Sequence, residues 1–359
     1  MKGDGIQHRI AIIGVGAIAG MHAHAIGDLA GVQLVAGSCR TESKGRQFSE
    51  QHGCRWYDDS VTMLEKEAPD VVTICTPSGA HLEPLRACAQ RGIHVLCEKP
   101  LEITTSRVDE MIQLAQEGEI VLGGIFPSRF NPVVAAVHNA TAAGRFGLVA
   151  AVSSYVPWWR DDAYYAPQRW QGTMALDGGG AMMNQSIHGV DMLQWIASSR
   201  GENPVTEVFA FTAQRGHNQE LIEVEDTAVA VMRFADGSLG QLLGATSMYP
   251  GSLKRFQIAG RDGMAEILED ELITWQFRTE QETDEEIRAR FSTATKTGGG
   301  ASDPMAIDYS NHTRNIGAFL DALDGRSELM LDGPEARKSV SIVEAIYESA
   351  QSGRVVAPR

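Results

Sequence analysis

Arg9-Ile10-Ala11-Ile12-Ile13, followed at once by Gly14-Val15-Gly16-Ala17-Ile18-Ala19, is the stretch from which the fold is read. The isoleucine-rich run is short and ends on glycine, as does a strand buried on both faces of a parallel sheet. Residues 17–29 then have helical character. Strand, tight turn and helix N-terminus in this order form a dinucleotide fingerprint. Gly14 permits the turn, Gly16 lets backbone approach a pyrophosphate, and Ala19 is the third small residue, packing helix on strand. Ala17 and Ile18 lead into the helix, whose free N–H groups and positive end favour phosphate. Glycine is 37 of 359 residues, so the glycines alone say little; the flanking strand and helix carry the reading.

The next strand, 32–38, runs into Gly37-Ser38-Cys39-Arg40-Thr41. A site selective for NAD usually carries an acid here, on the ribose hydroxyls, and 32–41 contains none. Ser38 and Arg40 suit a 2′-phosphate, so NADP is favoured over NAD; the competing reading of Arg40 is a solvated surface residue. Val71-Val72-Thr73-Ile74-Cys75-Thr76 is another buried strand, closed by Thr76-Pro77-Ser78. Ligands of such sheets sit beyond the strands' carboxyl ends. Thr76, Pro77 and His81, which opens the following helix, are therefore expected beside the cofactor. His94-Val95-Leu96-Cys97 runs directly into Glu98-Lys99-Pro100, on the same rim. The alternatives are a helix-start histidine facing water and a surface Glu–Lys pair.

Strand-like and helix-like segments alternate up to about Gly124, the pattern of a doubly wound sheet. Phe126-Pro127-Ser128-Arg129-Phe130-Asn131-Pro132 breaks that rhythm. Beyond it, strand-like segments follow one another at 148–155, 205–213, 224–234, 238–246, 254–260, 263–268 and 272–277, with Ala235-Asp236-Gly237-Ser238 as a hairpin turn. The chain has 359 residues and is 43% hydrophobic, more than one core usually holds. The expected fold class is α/β, in two domains: a Rossmann-type parallel sheet over 1–126, and over 127–359 an α/β domain with a large open, mostly antiparallel sheet. Helices near 129–143, 179–198, 312–323 and 333–352 should cover one face of that second sheet. The other face calls for a second subunit. Gly298-Gly299-Gly300 reads as part of a flexible loop, and the acidic run 280–286 as a solvated face.

A net charge of −15 argues against nucleic acid and anionic membranes as partners. No apolar run spans a bilayer, and no basic segment precedes an apolar signal core, so a soluble cytoplasmic protein is expected. The five cysteines have no metal-ligand spacing and read as thiols of a reducing compartment. No metal site is expected; His188-x-x-Asp191 offers only two ligands.

On a helix over 181–197, Asn184, His188 and Asp191 share one face. Gly178-Gly179-Gly180 precedes it and is read as letting backbone approach a ligand closely. Oxidation of an alcohol requires a base for the hydroxyl proton, and histidine suits this at neutral pH. A lysine acts as base when its pKa is lowered, or as a cation steadying the alkoxide. Lys99 and His188 are thus the expected catalytic pair, from different domains, around a cleft. The ordinary alternative for His188 is a satisfied core residue. The stretch Tyr155 to Trp170 is aromatic and polar, which suits the faces and hydroxyls of a sugar ring as well as a subunit interface. Arg129, Tyr155, Trp158, Arg169, Trp170 and Asn184, with Lys99 and His188, are the expected substrate contacts, and Glu98 joins the expected cofactor residues.

These motifs together resemble the Gfo/Idh/MocA oxidoreductases, the family of glucose–fructose oxidoreductase and inositol dehydrogenase. The resemblance spans nearly the whole chain and rests on the glycine turn, Thr76-Pro77-Ser78-Gly79-Ala80-His81, His94 through Leu101, and Asp177-Gly178-Gly179-Gly180 through His188 and Asp191. It implies a nicotinamide-dependent enzyme that acts on a sugar, cyclitol or nucleotide sugar and assembles as a homodimer or homotetramer through its open sheet. The family's lysine matches Lys99 and its histidine matches His188. Many members have an aspartate where this chain has Asn184, and an amide can orient a substrate hydroxyl but cannot accept its proton. A nucleotide-sugar dehydrogenase would need a diphosphate site, for which Arg129, Arg160 and Arg169 are the candidates. A non-catalytic dinucleotide-binding sensor is the reading from another class, and retention of both Lys99 and His188 argues against it.

Overall fold

Strands β1 (His8–Ile13), β2 (Val32–Ser38), β3 (Arg55–Tyr57), β4 (Val71–Ile74), β5 (His94–Cys97) and β6 (Leu122–Gly124) form a parallel sheet in the order β3-β2-β1-β4-β5-β6. Its centre is buried on both faces: Ile10, Ile12, Val72, Ile74, Val95 and Leu96 are at most 1% exposed, which is why these strands read as mostly apolar runs. Helices α1 (Ala17–Gly27), α2 (Glu42–His52), α3 (Ser60–Glu67), α4 (Leu82–Ala89) and α5 (Thr105–Glu117) make the crossovers. The computed structural model describes residues 7–292 and 308–359 and divides into two units. The first comprises residues up to 127 and residues 309–337; the second comprises 128–308 and 338–359.

This division differs from the single boundary expected. Helix α9 (Ser310–Leu323) packs against α1, not against the second sheet. Its Ile316, Phe319 and Leu320 join the first unit's core, and Phe319 lies where a side chain on Gly123 would be. Strand β3 also went unread, because three residues carry too little periodicity.

The second unit holds α6 (Pro132–Ala142), β7 (Val149–Pro157), α7 (Ile187–Ala197), β8 (Val205–Ala213), β9 (Thr227–Phe234), β10 (Leu239–Ala245), β11 (Arg255–Gly260), β12 (Gly263–Leu268), β13 (Glu271–Phe277) and α8 (Thr283–Phe291). Helix α10 (Gly333–Ser352) begins in the first unit and ends in the second. The sheet order is β13-β12-β11-β7-β10-β9-β8; β7 and β10 pair in parallel, and all other neighbours are antiparallel. The turn between β9 and β10 is set by Gly237, at φ +86, whose N–H donates to Phe234 O at 2.9 Å. Helix α8 begins within the acidic run 280–286 and extends beyond it. It is anchored because buried Asp284 pairs with Arg145 and accepts from Trp275 Nε1 at 2.7 Å. The loop reading at Gly298-Gly299-Gly300 lies outside the described residues. No described helix is long and apolar enough to cross a membrane.

Candidate functional site

In the first unit, the rim at the carboxyl ends of the strands begins with Gly14, at φ +95. A Cβ there would lie 2.6 Å from Thr76 N and 2.7 Å from Cys75 C, so only glycine lets the turn cross the end of β4. A Cβ on Gly16 would meet nothing within 4 Å, which leaves open space at the start of α1. The N-terminus of α1 has no side-chain cap and no acid in its first turn. Its N–H groups and positive end are therefore disposed to receive an anion. Open space, uncapped donors and a sterically required turn fit a dinucleotide pyrophosphate. At the end of β2, Ser38 is buried and Arg40 is exposed.

Two residues expected to line the cofactor have other work. His81 is 1% exposed; its Nδ1 faces the carbonyls of Pro100 and Leu101 at 3.0 and 3.1 Å, and its Nε2 faces Thr76 O at 2.9 Å. It ties the β4 loop to the Glu98-Lys99-Pro100 loop. Glu98 is 6% exposed. One oxygen meets His22 Nε2 at 2.9 Å and His312 Nε2 at 3.8 Å; the other accepts the Lys99 N–H at 3.1 Å. Burial works against charging either partner. The His22 hydrogen bond and the nearby positive charges nevertheless hold the Glu98 carboxyl well below its usual range. Cys75, 3.5 Å from Nδ1, and Glu98 likewise raise His22 above its own. This buried ion pair sits under the strand end from which Lys99 departs. No short-range pattern announces this cluster, because His312 follows Glu98 by more than two hundred residues, beyond the second sheet in sequence. His22, Glu98 and His312 are also the one group of three metal-ligating side chains found close together among the described residues. The 2.9 Å hydrogen bond joins two of the three, His22 and Glu98.

In the second unit, a π-helical turn over Ala181–Ser186 leads into α7. Buried Glu225 caps it: its carboxylate accepts from Gly180 N at 3.0 Å, Met182 N at 2.7 Å and Tyr347 OH at 3.0 Å. The glycines before this turn serve the chain itself. A Cβ on Gly180 would lie 1.9 Å from Glu225 O, and one on Gly179 2.1 Å from Tyr347 OH. The close approach read from Gly178-Gly179-Gly180 is thus to backbone and side chain of the same unit. Asn184 and Gln185 are buried within the turn, whereas His188 on α7 is partly exposed.

A one-way chain of hydrogen bonds crosses this region. Arg160 Nη2 donates to Gln185 Oε1 at 2.8 Å, Gln185 Nε2 to Asn184 Oδ1 at 3.1 Å, and Asn184 Nδ2 to Asp177 Oδ1 at 2.6 Å. Gln185 Nε2 also reaches Tyr164 OH at 2.9 Å. Of the expected substrate contacts, Asn184 and His188 therefore stand on one helical element. Trp158 is buried beneath the Arg160 guanidinium, Trp170 is partly buried, and Arg169 is exposed.

Two expectations are corrected. Tyr155 is 42% exposed, while its neighbours Ser154 and Val156 point inward and Ser154 Oγ abuts Gly189 of α7. Strand alternation puts Tyr155 on the opposite face of the sheet from α7. Arg129 is buried, with Nε and Nη2 on Asp191 at 2.8 and 2.6 Å, and its guanidinium stacks over Trp195. It braces α7 through this buried ion pair. Nothing short-range in the sequence linked Arg129 to Asp191.

Comparison with known proteins agrees with this geometry. Residues 8–124 match the family described as "Oxidoreductase family, NAD-binding Rossmann fold", and residues 134–266 match its C-terminal domain. The chain is 30% identical over 269 residues to myo-inositol 2-dehydrogenase of Thermotoga maritima, covering 71% of this chain and 73% of that protein. It is 26% identical to 1,5-anhydro-D-fructose reductase of Ensifer adhaerens, covering 90% of each. Among solved structures, the WlbA dehydrogenase of Bordetella pertussis, in complex with NADH and UDP-GlcNAcA, superposes with a TM-score of 0.87 at 29% identity, covering 98% of each chain.

Proposed function

Since the chain belongs to the Gfo/Idh/MocA oxidoreductases, a family of NAD-binding sugar and cyclitol oxidoreductases, we propose that it moves hydride between a nicotinamide cofactor and a CH–OH carbon of a polyhydroxylated substrate. The supporting observation is the position of Lys99. It follows β5 directly, at the carboxyl end of the same parallel sheet whose β1 leads into the dinucleotide turn. The bound nicotinamide would supply the hydride acceptor or donor. His188 takes the hydroxyl proton in oxidation and returns it in reduction; the Lys99 ammonium steadies the alkoxide oxygen. Assay of nicotinamide reduction at 340 nm with myo-inositol and with a UDP-linked uronic sugar tests the reading, and a protein inert with every polyol and sugar would defeat it.

A sugar nucleotide is the finer reading of the substrate. Its support is the likeness over nearly the whole chain to a structure holding UDP-GlcNAcA. Of the three arginines considered for a diphosphate, Arg129 is committed to Asp191 and Arg160 to Gln185, so Arg169 is the exposed one. Arg169→Ala should raise KM for the UDP-linked sugar and leave KM for a free cyclitol unchanged.

On the cofactor, the end of β2 has no carboxylate to repel a 2′-phosphate, and Arg40 is exposed beside it. NADP should bind more tightly than NAD. Arg40→Ala should cost NADP affinity on the order of 1.5–3 kcal/mol, the worth of a charge-assisted hydrogen bond, and spare NAD. Wild-type protein that binds NAD tenfold better than NADP would refute this.

The outer face of the second sheet supports self-association. Phe211, Val229, Leu243 and Tyr155 lie opposite one another across β8, β9, β10 and β7, and Phe209 pairs with Val231 beside them. Phe211 is 67% exposed and Val231 52%. A contiguous apolar face of this kind calls for cover, and a second copy of the chain is the proposed cover. Sedimentation should give a dimer or tetramer that Phe211→Glu dissociates; a monomer at micromolar concentration would sink the idea.

A further inference from the structure

Asp177 is 1% exposed. Its Oδ2 accepts the Gly172 N–H at 2.8 Å and its Oδ1 accepts Asn184 Nδ2 at 2.6 Å. A carboxylate can only accept, so the nitrogen of Asn184 must face it and the Asn184 oxygen must face Gln185. The amide of Asn184 is therefore held in one orientation. Every bond in the chain from Arg160 through Gln185 and Asn184 to Asp177 points the same way, so each polarises the next. Asn184 and His188 are four residues apart on a helical element, which brings their side chains onto neighbouring positions of one face.

From this arrangement we propose that Asp177 is a positioning residue for proton transfer. Through Asn184 it orients the amide beside His188 and supplies the buried negative charge that favours the imidazolium formed when His188 takes the hydroxyl proton. Asn184 itself carries no charge; the carboxylate stands one hydrogen bond behind it. The inference rests on His188 being the acid–base group of the proposed reaction. It assigns a role to a residue that otherwise reads only as the start of a glycine-rich turn.

The test is to move the charge. Asp177→Asn removes it, and turnover should fall about tenfold or more, the lower range for a disturbed acid–base step, with KM for the sugar and affinity for the nicotinamide cofactor nearly unchanged. Asn184→Asp alone sets two carboxylates at hydrogen-bonding distance and should also be impaired. The double variant Asp177→Asn/Asn184→Asp restores a single carboxylate that accepts from both amides. It should recover most of the lost turnover. Wild-type turnover in Asp177→Asn overturns the inference. So does a double variant no better than Asp177→Asn, with both melting lower than wild type, since that outcome marks a packing role. His188→Ala assayed alongside separates the two levels: activity there removes the histidine reading itself, whereas an inactive His188→Ala beside an unimpaired Asp177→Asn removes only the role of Asp177.

Discussion

Alanine at His188 or at Lys99 should each lower turnover roughly 100-fold or more, the usual size of a lost general acid or base, without loosening the dinucleotide. The separation of effects follows from the fold. The turn at Gly14, the open backbone at Gly16 and the uncapped start of α1 are proposed to take the phosphates through main-chain groups. His188 belongs to the second unit altogether. Cofactor affinity by fluorescence titration should therefore be the same in wild type and both variants while steady-state rates collapse. The loop that carries Lys99 is held by the Glu98 carboxylate, through the Lys99 backbone N–H, and by His81, through the carbonyls of Pro100 and Leu101. A His188→Ala protein with wild-type turnover would take histidine out of the mechanism.

Arg129→Leu should destabilise the second unit by about 3–5 kcal/mol, the range for removing one partner of a buried ion pair. Asp191, at 0% exposure, would then keep the Ser339 hydroxyl at 3.2 Å but no longer the guanidinium. The cost comes from the uncompensated carboxylate more than from the lost attraction. Consequently Arg129→Leu/Asp191→Leu should be markedly more stable than Arg129→Leu alone. Urea unfolding followed by tryptophan fluorescence measures both, since Trp195 lies under the guanidinium. A loss below about 1 kcal/mol, the value of an exposed pair, would contradict the burial.

The sequence by itself determined whatever rests on short-range pattern. Runs such as Val71–Ile74 and His94–Cys97 are mostly apolar because both faces of a parallel strand are covered, so they announce the sheet and place Thr76 and Lys99 at strand ends. The second sheet is legible for a different reason: β9 alternates inward Ala228, Ala230 and Met232 with outward Val229, Val231 and Arg233, a period that separates its two faces. Gly14 could be read because its positive φ is a local demand of the turn, whereas its close approach to Cys75 and Thr76 came from the fold. Tertiary structure alone decided which polar groups meet. Arg129 finds Asp191 across 62 residues, Glu98 finds His22 and then His312, and residues 309–337 return to the first unit although they follow the second in sequence. A buried charge must be paired wherever the fold brings a partner, and the identity of that partner carries no periodicity. The same holds for Asp177. Its neighbours Gly178-Gly179-Gly180 advertise a tight turn, but only the folded chain shows its carboxylate behind Asn184.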